Sequence, residues 1–222
     1  MKFGKQKIQE MKGVGINGVF KTYIPALKRI VKDRILVIAI ILRALNFIQI
    51  TIRNTFLAVL ITERMGFPAE SMALFYTVNS IVMLLVLLFI TPLLSFYTRR
   101  WPISLGIVFH LGAIVLLLIS PPSQSFLLLI LSAVFIALGS AIAGPRIEAL
   151  VANTIVNEDR SVLNAVVAVI ILLISSPFGF IGGILSEIDT RLPFVLTLIM
   201  FLVCLVLLRY ANHIEKRFDI IN

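Results

Sequence analysis

The sequence predicts an all-α polytopic membrane protein with six transmembrane helices in one bundle. Three observations carry that prediction. Hydrophobic residues make up 59% of the 222-residue chain and charged residues only 14%. The apolar residues are gathered into six long stretches, each close to or above the roughly 20 residues that a helix needs to cross a bilayer core of about 30 Å. The connections between the stretches are too short to hold a separate soluble domain. A soluble bundle needs polar outer faces on its helices, whereas in lipid each segment has to satisfy its own backbone groups, which spanning helices do.

Taken in order, the stretches fall at Ile35–Ile61, Ser71–Leu94, Pro102–Ile119, Phe126–Ala152, Val162–Leu185 and Leu192–Leu208. Ahead of them, residues 1–34 form a basic segment. Within it Phe20, Tyr23, Ile24, Leu27, Ile30 and Val31 recur at helical spacing after a glycine-containing start. Two readings are open for this part, an interfacial amphipathic helix on the cytoplasmic face or a flexible linker. It lacks the apolar core and small-residue cleavage site of a secretory leader, so no cleavable leader is expected. Pro68, Pro102, Pro121, Pro122 and Pro193 sit at span boundaries, where proline is tolerated. Pro145 and Pro177 instead lie inside the fourth and fifth spans, where proline kinks a helix and frees a carbonyl. The same two spans are rich in small residues, among them Ala133, Ala137, Gly139, Ala143, Gly144, Gly179, Gly182 and Gly183. Helix packing at close backbone approach is the expected use of these glycines. Residues 210–222 read as a charged tail.

The formal net charge of +9 invites a nucleic-acid reading, which its distribution removes. Nine basic residues precede the first span, Arg99, Arg100 and Arg160 lie in alternate connections, and Arg209, Lys216 and Arg217 follow the last span. The other connections hold only Arg64 and Arg191. This asymmetry places both termini in the cytoplasm and the chain in the cell membrane, with the excess charge drawn to anionic lipid heads. The lone Cys204 gives no disulfide framework. The two histidines, His110 and His213, make no metal site. No nucleophile–base pair or phosphate loop is visible, so no enzyme activity and no cofactor are expected.

Polar residues inside the spans are the candidate functional groups, because they are costly there and face a cavity or the bundle interior. Arg43, Asn46, Gln49, Arg53 and Asn54 of the first span fall within an arc of about 140° at helical spacing. This stripe either lines a substrate cavity or hydrogen-bonds to other helices with its arginines snorkelling. Arg146 and Glu148 follow the Gly144-Pro145 break near the cytoplasmic end of the fourth span. They can pair with each other, with Asn153, or across the bundle with Arg43. The functional reading is a gating ion pair or a proton-coupling carboxylate; the alternative is a structural charge pair at the helix end. Asn79 and Asn164 are candidates for interhelical hydrogen bonds, and His110 reads as a packing residue rather than a proton relay.

The run Gly144-Pro145-Arg146-Ile147-Glu148-Ala149-Leu150-Val151-Ala152, followed by Asn157-Glu158-Asp159-Arg160 and Asn164-Ala165, resembles the join between the fourth and fifth helices of a six-helix half in major facilitator superfamily transporters. Pro177-Phe178-Gly179-Phe180-Ile181-Gly182-Gly183 is similar to that family's glycine-rich fifth helix, and Arg191-Leu192-Pro193-Phe194 to the start of the last one. Between the second and third spans the basic pair Arg99-Arg100 remains, but the family's glycine and acid are missing. That departure makes the chain resemble a C-terminal half. The resemblance implies alternating access between two such halves. The first and fourth helices would then line the cavity, with Arg43, Asn46, Gln49, Arg53, Arg146 and Glu148 on its wall. The implied partners are the lipid bilayer, a small anionic or polar organic solute, and a second six-helix half, either another copy or a separate N-terminal half. A non-transporting membrane subunit or scaffold, or an inactive fragment of a split transporter, is the competing expectation.

Overall fold

The computed structural model describes residues 28, 30–95, 101–121, 126–154 and 160–221. Among these, every regular element is helical, and six helices are long and apolar enough to cross a membrane. The expected stretches and the observed spans agree in number, order and position.

Helix α1 (Arg34–Val59) opens on Asp33, whose carboxylate accepts from the backbone N–H groups of Ile35 and Leu36 at 3.0 and 3.1 Å. Those donors have no partner within the helix, and an anion suits the positive end of its dipole. The helix winds on through a π-turn at Leu60–Arg64 and stops at Gly66, where φ is 68°. Only a residue without a Cβ takes that left-handed conformation at no steric cost. The N–H groups of Met65 and Phe67 bond back to the carbonyls of Leu60 and Ile61, both at 3.1 Å.

Helix α2 (Glu70–Leu85) also passes into a π-turn, at Val86–Ile90, before a last α-helical turn at Thr91–Ser95. Its cause is Pro92, a third intramembrane proline that the sequence reading passed over. Pro92 cannot donate to Leu88 and its ring presses on that carbonyl, so the chain widens one turn earlier. Helices α3 (Trp101–Ile119), α4 (Phe126–Thr154), α5 (Arg160–Ile188) and α6 (Leu192–Ile221) complete the bundle. Both α4 and α5 run unbroken through their prolines. Helix α6 continues to Ile221, past the point where the sequence places a tail, since no glycine or proline stops it. The expected amphipathic helix or linker lies outside the described residues except for Lys28 and 30–34, of which Ile30 is buried against α1 and α5. The basic pair Arg99-Arg100 lies outside them as well.

Helices α3 and α4 share the most extensive contact, and α1 packs against α4, α5 and α6. A large core joins Ile48, Ile52, Leu57 and Leu60 of α1 to Ile107 and Leu117 of α3, Leu129 and Ile136 of α4, and Phe194 and Phe201 of α6. A second cluster joins Leu36, Ala39 and Ile40 of α1 to Val151 of α4 and Leu163, Val166 and Val167 of α5. Helices α2 and α5 are the outer members. They present Leu84, Leu88, Phe89, Leu172, Leu173 and Phe180 on the outside of the bundle, as a lipid or protein neighbour allows and water does not.

Glycines set the closest approaches. A Cβ built on Gly106 of α3 meets the Ala143 Cβ at 2.7 Å and the Gly139 carbonyl oxygen at 3.0 Å. One built on Gly182 of α5 meets the Phe56 ring of α1 at 2.6 Å. Gly144, Gly179 and Gly183, which the sequence also assigns to packing, have no atom within 4 Å of that position. Within this bundle the packing reading is corrected for those three: no other helix approaches closely enough there to require a glycine.

Candidate functional site

The polar stripe of α1 is held first by α1 itself. Gln49 Nε2 donates to Asn46 Oδ1 at 3.2 Å, and Arg53 Nη1 donates to Gln49 Oε1 at 3.5 Å. Residues three and four apart on a helix are neighbours, which is the spacing of this relay. Gln49 is buried, Asn46 and Arg53 are half-buried, and Asn54 is exposed. The stripe thus runs along the seam between the bundle interior and its open face. Several threonine hydroxyls elsewhere in the spans likewise bond to their own helix: Thr51 to Phe47, Thr62 to Ala58, Thr77 to Ala73 and Thr197 to Phe194.

Near one end of the bundle, Arg43 Nε donates to Glu148 Oε1 at 2.8 Å and ties α1 to α4. Of the three partners the sequence leaves open for Glu148, the structure selects this one. Arg146 turns the other way and donates from Nη2 to the carbonyl of Leu94, at the end of α2. The proposed Arg146–Glu148 pair therefore does not form. Residues two apart on a helix do not face each other, a signal the sequence already held. The Glu148 side chain is 55% exposed and that of Arg43 28%. Beside them lies a cavity of about 330 Å³ lined by Arg43, Glu148, Ala149, Val151, Ala152 and Asn164. Asn164 faces this opening, whereas Asn79 does make the interhelical bond, Nδ2 donating to the Ala133 carbonyl at 3.0 Å.

The profile of the Major Facilitator Superfamily matches residues 39–219, a stretch that begins within α1 and runs through the other five spans. The chain belongs to that superfamily. Among curated proteins none matches the sequence. As a major facilitator chain it is a membrane transporter by family, and its charged groups are read in that light.

A second polar group was missed by sequence reasoning. Gln49 and Arg53 also line a small inner cavity with His110 of α3 and Thr197 of α6, closed by Ile114, Leu117, Ile136, Phe194 and Phe201. His110 is 2% exposed and its ring lies 4.9 Å from that of Phe201. It packs, as the sequence reading has it, but neither ring nitrogen has a hydrogen-bond partner among the described residues. A histidine on an apolar helix carries no sign in the sequence of what faces it.

Proposed function

We propose that this major facilitator chain is one half of a secondary transporter, moving a small polar or anionic organic solute across the cell membrane by alternating access with a second six-helix half. The observation that carries the reading is the incomplete cover over the charged groups. Arg43 lies about 13 Å along α1 from Arg34, at about 1.5 Å per residue, yet it and Glu148 open onto the cavity of about 330 Å³ at the bundle surface. Charged side chains at that depth are costly against lipid and sit where protein or water faces them. A second half closing over α1 and α4 supplies both, with a water-filled solute path between the two halves. The net positive wall formed by Arg43 and Arg53 favours an anionic or polar solute. The Arg43–Glu148 bridge then acts as the cytoplasmic gate, joining α1 and α4 when that end is closed.

The test is the native mass of the purified full chain in detergent, corrected for bound detergent, and again in lipid nanodiscs. It is measured alone and with a candidate N-terminal six-helix half co-expressed. The expected result is a stable assembly of two six-helix units. A strict monomer under every condition would leave the charged groups without a second wall and sink the proposal.

A further inference from the structure

The small cavity between α1, α3, α4 and α6 is built unlike the rest of the core. Its walls are mostly apolar, but four polar side chains converge on it: Gln49, Arg53, His110 and Thr197. Three of them are almost wholly buried, at 3%, 2% and 2% exposure for Gln49, His110 and Thr197. The hydrogen-bonding capacity of two of these groups is already assigned. Thr197 Oγ1 donates to the Phe194 carbonyl at 2.8 Å, and Gln49 Oε1 accepts from Arg53. Among the described residues neither His110 nitrogen has a partner, and a polar group orphaned in a membrane interior is costly enough that water or a ligand is the ordinary remedy.

The volume of the cavity, about 10 Å³, decides the size of that ligand. It is about the room that one water molecule occupies, and a buried water needs two to four polar partners. Arg53 decides the charge, since a guanidinium has only donors and repels a cation. The direction of the bonds follows. A water can accept from an Arg53 N–H and donate to the lone pair of a neutral imidazole, so one molecule joins the guanidinium to the unpartnered ring.

We propose that a single water is bound between Arg53 and His110, and that through it His110 is a positioning residue for the Arg53 guanidinium. The α1 stripe then does not end on its own helix but continues to α3. Gly139 of α4 is part of the arrangement, because a Cβ there falls 2.2 Å from His110 Nδ1 and would move the ring. The water site belongs to the folded bundle alone; only its bearing on solute recognition rests on the transporter reading.

The chain has two histidines, His110 and His213, so selective nitrogen-15 labelling of histidine in a His213→Gln variant leaves one imidazole to observe. In nanodiscs, the expected spectrum shows a neutral ring whose unprotonated nitrogen is hydrogen-bonded and receives magnetisation from a slowly exchanging water. Arg53→Leu removes the donor behind that water, and Gly139→Ala displaces the ring; each is expected to shift the nitrogen toward its non-bonded position and to remove the water transfer. In the His213→Gln background alone, a His110 ring with no water transfer, or one protonated on both nitrogens, overturns the proposal without any change at the site itself. An unchanged spectrum in folded Arg53→Leu overturns the bridge to Arg53. Native mass is indifferent to all of these outcomes, so failure here is distinguishable from failure of the two-half reading.

Discussion

Proline at position 145 leaves the Ala141 carbonyl without its helical donor, and Thr91 of α2 fills the gap. The Thr91 hydroxyl lies 3.5 Å from the Ala141 oxygen and 3.3 Å from that of Val86, the carbonyl at the start of the α2 π-turn. One hydroxyl thus serves two irregular turns on adjacent helices, the usual remedy for proline in a membrane helix. Thr91→Val keeps the shape and removes the donor. It is expected to lower stability in thermal unfolding by about 1 kcal/mol, the scale of an interhelical hydrogen bond in a membrane. In a Pro145→Ala background, where residue 145 regains its own N–H, the same substitution is expected to cost roughly half as much. Equal costs in both backgrounds would remove Thr91 from this role. The proline and the freed carbonyl were legible in the sequence, but the donor was not, since Thr91 lies far from Pro145 along the chain. Glu148 teaches the same point: its spacing excluded Arg146 as a partner, while Arg43 could be named only as one option until the helix rotations were known.

At the level of the helices, glycine has two uses here that composition does not separate. Gly106 sits where α3 and α4 nearly touch, with the Ala143 Cβ 2.7 Å from where its own would be. Gly183 of α5 has nothing within 4 Å. Substitution by alanine should therefore act with opposite sign. Gly106→Ala pushes two backbones apart and is expected to destabilise by about 1–3 kcal/mol, the cost of overpacking. Gly183→Ala stiffens a half-buried helical position with room for a Cβ and is expected to be neutral or stabilising by about 0.5–1 kcal/mol. Thermal unfolding in detergent, one variant at a time, checks both signs. A similar loss at the two sites would mean that α5 is packed at Gly183 in the isolated chain. The two π-turns were also invisible to span-level reading. Only the one in α2 has a local mark, Pro92, and it hides inside a run apolar enough to pass for an ordinary helix.

For the whole molecule, the number and order of the spans were written in the sequence because lipid demands long apolar helices. Which helices lie outermost was not. In the central window of α1, 50% of residues are buried, against 11% in α2, yet the two are about equally apolar. A helix facing lipid has no need of a polar side, so the amphipathic cue that orients soluble helices is absent. Charge supplies what apolarity cannot. At one end of the bundle Arg64 Nη1 lies 4.0 Å from Asp189 Oδ1, joining the end of α1 to the turn between α5 and α6. Arg64 is one of only two basic residues that the sequence assigns to that side, against fifteen on the other. From the positive-inside rule we propose that the Arg64–Asp189 end faces outside and the Arg43–Glu148 end the cytoplasm. Replacing the buried Cys204 with alanine clears the background for single cysteines at Glu187 and Asn153, both exposed at opposite ends. In intact cells a membrane-impermeant maleimide is expected to label Glu187→Cys, and Asn153→Cys only after permeabilisation. The reverse pattern would invert the protein and move the Arg43–Glu148 bridge, the proposed gate, to the outer face. Labelling of both from outside would break the six-crossing path itself.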